Sequence, residues 1–454
     1  MADDPVAGLL AAARAAIARR EDAPAQQLYL EILRRDADHY AALIELGEQA
    51  LSLGHRDAAR SLFTRAAERH PAERTGCLTL GNMAFEEARF AEAEAHYRTA
   101  LARDAGCAAA HRGLARWLSQ AGREAEAQPH WRAGFAQGAA TPRRYRGAGR
   151  AVELLYLAAA RGGNVRLAPW IDDRVFAVTT LYADFWQPGQ SVPAHDLLVN
   201  AAGDADACAP ALRKAAQIAA ASTAPVINPP DLVLRTGRAA LGELCAGIAG
   251  LAAPAIRRVS RSELLDMSAL AAPMLLRVPG RHTGEDFERV ETSLDLRAAL
   301  ARLAGEAFFC IQPFETRGAD GAYRKYRVMF IDGAICPWHL AISQHWKVHY
   351  VTGAMADHAE FRAEEAAFLR DMPGVLGAPA LAALARLQAA LGLDYAGADF
   401  ALDAAGKVLL FEANATMTLA SPGPEPIWDY RRPAVEAAQV ALRRMLHRRA
   451  GRSK

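Results

Sequence analysis

Three oxygen-bearing side chains bracket the stretch ADFALDAAGKVLLFEAN, residues 398–414: Asp399 at its start, Glu412 and Asn414 at its end. Two apolar runs, Phe400-Ala401-Leu402 and Val408-Leu409-Leu410-Phe411, flank Asp403-Ala404-Ala405-Gly406-Lys407. That pattern reads as two strands joined by a hairpin turn. Asp399 and Glu412 lie about equally far from the turn, so they are expected to face each other. Facing carboxylates repel, and burying them costs desolvation energy. Such a pair needs something to offset it, unless the hairpin is exposed and its acids solvated. Glu412 and Asn414, two apart on a strand, point to one face.

Other residues with chemical potential precede this hairpin. CPWHLAISQHWKVHY, residues 336–350, concentrates His339, Trp346, Lys347, His349 and Tyr350. His345 and His349 have the spacing of two zinc ligands on a helix. Trp346 stands where a zinc protease would carry glutamate, and the apolar alternation favours a strand, which argues against zinc. Packed imidazole and indole rings weigh evenly with substrate contact. RKYRVMFIDGAICPWH (324–339) reads as a hairpin with Asp332-Gly333 at its tip, and it carries Lys325 and Arg327. Arg238 follows INPPDLVLRTG, and Arg277 lies in MLLRVPG. Gly280-Arg281-His282-Thr283-Gly284 is a loop whose glycines let backbone approach a ligand closely.

The elements that must position these groups follow from the whole chain. Its 454 residues exceed one core and imply two or three domains. Hydrophobic residues make up 52% and charged residues 23%, an ordinary globular balance. A net charge of +2 gives no general reason to expect nucleic acid or an anionic membrane as partner. Six scattered cysteines without a CxxC pair fit reduced thiols. The start lacks the basic residues of a signal peptide, and no run of about 18 apolar residues is evident. A cytoplasmic protein is expected.

Residues 1–140 repeat with a period of 34. Tyr29, Phe63, Tyr97 and Trp131 keep that step, as do Ala25, Ala59, Ala93 and Ala127, and Leu46, Leu80 and Leu114; Gly47 and Gly81 follow two of the leucines. These residues resemble the tetratricopeptide repeat, which implies a helical solenoid offering a groove to a peptide or protein. GAATPRRYRGAGR (138–150) opens a linker expected over 141–164, its arginines solvated. From 165 onward strands alternate with helices, among them 207–221 and 238–250, and then turn antiparallel in character.

The order of these later elements, closing on Asp399, Glu412 and Asn414, resembles the ATP-grasp superfamily of D-alanine–D-alanine ligases and glutathione synthetases. The resemblance implies an α + α/β multidomain chain: the solenoid, an α/β domain over 165–235, an ATP-grasp domain of two α+β subdomains over 236–430, and a basic helix or tail over 431–454. It implies ATP and Mg²⁺ as cofactors, with Asp399, Glu412 and Asn414 as metal ligands. A hard cation wants such oxygens, and its charge would reverse the repulsion between the facing acids. Arg327 matches the arginine that stabilises the transferring phosphoryl group. Arg238 and Arg277 stand where the family usually has lysines, and Lys325 joins the nucleotide-binding set. Arg281 and His282 match a loop over the phosphates. Gln312, Pro313 and Phe314 match the adenine-binding hinge, and Glu315 the ribose contact. His339, Trp346, Lys347 and His349 fall where an acceptor substrate often binds.

The function this implies is an ATP- and Mg²⁺-dependent carboxylate–amine or carboxylate–thiol ligase, working through an acylphosphate. Its substrate would be a peptide or protein recruited by the repeats, such as a ribosomally made precursor peptide, with a homodimer left open. Two alternatives stand beside it: a nucleotide-sensing scaffold without catalysis, and a phosphotransferase of the same fold.

Overall fold

The computed structural model describes residues 5–267, 270, 272–280, 286–348, 355–419, 421–423 and 425–451. The chain divides into two compact units. Unit 1 is Met1–Tyr156 with Ala160–Gly162 and Ile171–Asp196; unit 2 is Leu157–Ala159, Gly163–Trp170 and Leu197–Lys454.

Unit 1 begins with helices α1 (Pro5–Ala18), α2 (Asp22–Arg35), α3 (Tyr40–Ser52), α4 (Arg56–Arg69), α5 (Thr75–Glu86), α6 (Phe90–Arg103), α7 (Ala108–Gln120) and α8 (Glu124–Gly134). The 34-residue step has a packing cause. Ala25, Ala59, Ala93 and Ala127 are fully buried on the even-numbered helices, and the four aromatics one turn later are buried with them. A side chain at Gly47 would put its Cβ 2.8 Å from the Phe63 ring, and one at Gly81 would come equally close to Tyr97. The leucine–glycine step is therefore the socket for the aromatic knob, and the N-terminal region is a helical repeat.

Three strands complete unit 1. β1 (Ala140–Pro142), β2 (Val152–Ala158, of which the last two residues belong to unit 2) and β3 (Phe176–Tyr182) pair in the order β1-β3-β2. The segment 141–164, expected as a linker, thus contains the end of β1 and all of β2. Its arginines are engaged as well: Arg146 pairs with Asp173 at 2.9 Å, and Arg144 lies 3.6 Å from Glu45 on α3. The region around β3 grips both ends of the repeat. Phe185 stacks on Phe135 at 3.8 Å between centroids, while Asp172 pairs with Arg20 and Arg174 with Asp22.

Unit 2 is mixed α/β. β4 (Leu197–Asn200) and β5 (Val226–Ile227) run parallel, with α9 (Ala209–Ala220) between them in sequence. α10 (Pro230–Leu234) and α11 (Leu241–Leu244) follow, so the helix expected over 238–250 closes at Leu244. A four-stranded antiparallel sheet has the order β7-β10-β8-β9, from β7 (Ile256–Ser260), β8 (Met274–Arg277), β9 (Phe287–Val290) and β10 (Ala307–Ile311). Helices α12 (Arg261–Leu265) and α13 (Ser293–Arg302) start with capping boxes, Ser260 with Glu263 and Thr292 with Asp295. A five-stranded sheet has the order β12-β11-β13-β14-β6, from β6 (Leu251–Ala252), β11 (Tyr323–Ile331), β12 (Ala334–Ser343), β13 (Tyr395–Leu402) and β14 (Val408–Asn414). The β11–β12 turn has positive φ at both Asp332 and Gly333, as a two-residue hairpin requires.

α14 (Ala359–Arg370), α15 (Met372–Leu391) and α16 (Arg432–Arg449) complete unit 2. α15 is long and apolar enough to cross a membrane by length and composition, which the sequence reading missed. Gly377, at φ 76° and ψ 160°, divides it, and its residues from Met372 to Leu391 bury seven side chains in the unit. α16 likewise buries Val435, Ala438, Leu442, Met445 and Leu446.

Candidate functional site

The carboxylate hairpin forms with one irregularity that decides its register. Near the turn Leu402 pairs with Val408 and Phe400 with Leu410; beyond a bulge at Phe411, Asp399 pairs with Glu412 and Gly397 with Asn414. Without that extra residue Asp399 would oppose Phe411. A bulge re-aims side chains, and here Phe411, Glu412 and Asn414 all reach the same cavity. On its other side, Asp399 faces Arg327 of β11.

That cavity, about 620 Å³, lies wholly within unit 2 and draws on both of its larger sheets. Its wall carries eight cationic side chains among the described residues: Arg166, Arg238, Arg277, Arg289, Arg324, Lys325, Arg327 and Lys347. Against these stand four carboxylates, Asp204, Asp206, Asp399 and Glu412. The excess of four positive charges, with Leu275, Phe309, Ile311 and Phe314 also in the wall, suits a ligand that has both anionic and apolar parts.

The charges are arranged in pairs. Arg327 grips Asp399 with two hydrogen bonds, Nε to Oδ1 at 2.5 Å and Nη2 to Oδ2 at 2.7 Å, and Lys325 Nζ lies 3.1 Å from Oδ2. Arg238 Nη2 donates to Glu412 Oε2 at 2.8 Å. Asn414 Oδ1 accepts from the backbone and hydroxyl of Thr416. Burial pushes the Asp399 carboxyl up, but Arg327 and Lys325 overcome it and hold Asp399 far below the usual carboxylate range. For Glu412, burial and then the neighbouring Asp399 push upward, Arg238 and Arg277 pull downward, and the balance is downward. Burial, reinforced by Arg238, lowers Arg277 to about 10. Two guanidiniums crowded in a dry wall favour an anion between them.

The other expected site residues divide. Gln312, Pro313 and Phe314 line the cavity. The Gln312 N–H already donates to Ala255 O and proline has none, so this hinge offers carbonyls rather than donors over its first two residues. Glu315 is exposed, does not line the cavity and accepts from the Arg317 N–H, which corrects its assignment to a ribose contact. His339 is also corrected. It faces Arg327 across the β11–β12 ladder but is buried, and burial beside that arginine holds its imidazole neutral. It packs behind the site, because β12 is covered there. Trp346 and Lys347 do line the cavity, both against Phe287: Trp346 edge-on at 5.4 Å, and Lys347 donating to its carbonyl. Arg281, His282 and His349 lie outside the described residues.

Sequence reasoning missed Asn164, Arg166, Asp204 and Asp206 on the cavity wall. Asp204 and Asp206 were legible in principle, since they follow the carboxyl end of β4, where open α/β sheets place their ligands. Arg166 had no such signal.

No protein-family model matches the chain, and no curated protein does. Among solved structures, MamA of strain MSR-1 aligns at 24% identity over 30% of this chain and 78% of its own, with a TM-score of 0.25. MamA of strain AMB-1 aligns at 25% over 30% and 74%, TM-score 0.26. MamA from Desulfovibrio magneticus RS-1 aligns at 15% over 28% and 73%, TM-score 0.25. These alignments fall on the N-terminal helical region and leave unit 2 unmatched.

Proposed function

We propose that unit 2 binds a nucleoside triphosphate and activates a carboxylate for ligation to an amine or thiol, with ATP as the natural nucleotide. One observation carries this reading: a cavity with four excess positive charges among the described residues, apolar side chains in the same wall, and two cross-strand carboxylates, Asp399 and Glu412, facing into it. The donor chemistry also fits Mg²⁺, since a carboxylate and an amide oxygen two residues apart on one strand are hard ligands. Glu412 and Asn414 would hold the ion, which when bound would neutralise phosphate charge, while Asp399, already clamped by Arg327 and Lys325, would position those two cations behind it. Arg277 and Arg238 would bind the phosphates, and Arg327 would hold its planar fork toward charge that builds on the transferring group.

In that reading a substrate carboxylate oxygen attacks the terminal phosphorus and ADP leaves. An amine or thiol then attacks the acylphosphate carbon, releasing inorganic phosphate and its own proton. The protein contributes position and charge rather than covalent chemistry. The helical repeat would serve as a protein-interaction scaffold that brings a peptide or protein substrate. Calorimetry with ATP and Mg²⁺, followed by phosphate release with candidate peptides, tests the proposal. No nucleotide binding at millimolar ATP removes it. Binding without turnover leaves the nucleotide-sensing scaffold, and a stable phosphorylated product the phosphotransferase.

A further inference from the structure

The two carboxylates of the cavity are covered in unequal ways. Asp399 is buried and shares two cations, Arg327 through both guanidinium hydrogen bonds and Lys325 at 3.1 Å. Among the described residues Glu412 has one ion-pair contact, with Arg238 at 2.8 Å, and both side chains keep partial access to the cavity. The Arg238 backbone is fixed separately, its N–H donating to Asp206 Oδ2 at 3.1 Å. The long side chain can therefore change partner without moving its anchor. Arg277 sits near enough to repel Arg238, and both line the cavity.

We infer that Arg238 is a removable cover on Glu412: it keeps a divalent cation off this carboxylate until a polyanion draws the guanidinium away, so that anion binds first and cation second. Two facts set the direction. Arg238 occupies Glu412 Oε2 and places its positive charge beside the carboxylate, so a metal ion at Glu412 must compete with it. An incoming phosphate offers Arg238 a bidentate partner and relieves its repulsion from Arg277. Asp399 does not exchange. It stays with Arg327 and Lys325 as a positioning residue that sets where those two cations point. The inference rests on the nucleotide reading for its natural anion, but its central test needs no nucleotide.

Mn²⁺, as a paramagnetic stand-in for Mg²⁺, is titrated against the full chain without any anion, with free ion read by electron paramagnetic resonance. The wild-type chain is expected to bind weakly. R238Q should gain one site about tenfold tighter or more, because an uncovered carboxylate adds ligand charge. R238Q/E412Q should lose it again. R238K, which keeps the charge on a shorter stem, should fall between and covers the case in which R238Q fails to fold. Equal Mn²⁺ affinity in the wild type, R238K and R238Q, or a gain in R238Q that survives E412Q, overturns the cover. Metal-free ADP is titrated in parallel. Its failure to bind the wild type counts against the nucleotide reading, whatever the Mn²⁺ result.

Discussion

Asp399→Asn separates a carboxylate that serves as internal counter-charge from one that waits for a metal. The amide is isosteric, so no cavity opens and little packing is lost. What disappears is the negative charge between Arg327 and Lys325, and an amide NH₂ must now face guanidinium donors at one of two contacts of 2.5 and 2.7 Å. Removing one partner of a buried ion pair typically costs about 3–5 kcal/mol. With Asp399 1% exposed, that full range applies. At a urea slope of roughly 2–3 kcal/mol/M, the unfolding midpoint of unit 2 should fall by about 1–2.5 M. Far-UV circular dichroism at constant pH, with hydrogen exchange on β11 and β13 to locate the loss, is the assay. Saturating ADP should restore more stability to the variant than to the wild type, for which 100-fold excess over Kd gives about 2.7 kcal/mol. A phosphate would neutralise the two stranded cations. A variant as stable as the wild type, or one that ADP stabilises no more than the wild type, would refute the reasoning.

Arg327→Lys keeps a charge but loses the planar fork, so under the ligase reading turnover should fall by roughly 10²-fold with smaller change in nucleotide affinity; a pure affinity loss makes Arg327 a binding residue only. Gly81→Ala gains helix propensity worth about 1 kcal/mol but drives a methyl to 2.8 Å from the buried Tyr97 ring, an overpacking of about 1–3 kcal/mol. The net should be a loss, whereas Gly8→Ala, with nothing within 4 Å, should stabilise; thermal melts of both decide. His130 is held below its ordinary value by burial, then by His111, whose Nδ1 lies 2.8 Å from its own, and by Arg98, against Glu126. Its folded value is the lower one, so this stability is present above about pH 6.5 and is lost as pH falls below it. Melts of unit 1 at pH 7.5 and 5.5 should show the loss, and H130Q should remove that share of it.

The legible parts of this chain are those fixed by neighbours in sequence. The 34-residue step could be read because the alanine, the aromatic and the glycine that admits it belong to adjoining helices. The facing of Asp399 and Glu412 followed from counting outward along one hairpin, although it is the unforeseen bulge at Phe411 that delivers it. The partners that close the site were not legible. Arg238 and Glu412 are 174 residues apart, and Arg327 and Asp399 are 72 apart, so only the folded sheet order brings them together. The arginines of 138–150 looked solvated because their acidic partners, Glu45 and Asp173, lie far away in sequence. His339 was misjudged for a related reason. Position along a strand gives a face, but which face is covered depends on elements packed later.

The clasp that residues 172–185 place on the helical repeat has a consequence for how unit 1 is made. The last repeat helix ends at Gly134, yet the partner of Phe135 is Phe185, and the partner of Asp22 is Arg174. At roughly 5–20 residues per second, the chain that closes the clasp leaves the ribosome some 3–10 s after the helices it closes. During that interval the nascent repeat stands complete but unclasped. The Phe135 ring then lacks its cover, and the Arg20 and Asp22 corner lacks its counter-charges. That interval is when a chaperone or a co-translational partner could meet surfaces that the finished unit no longer offers.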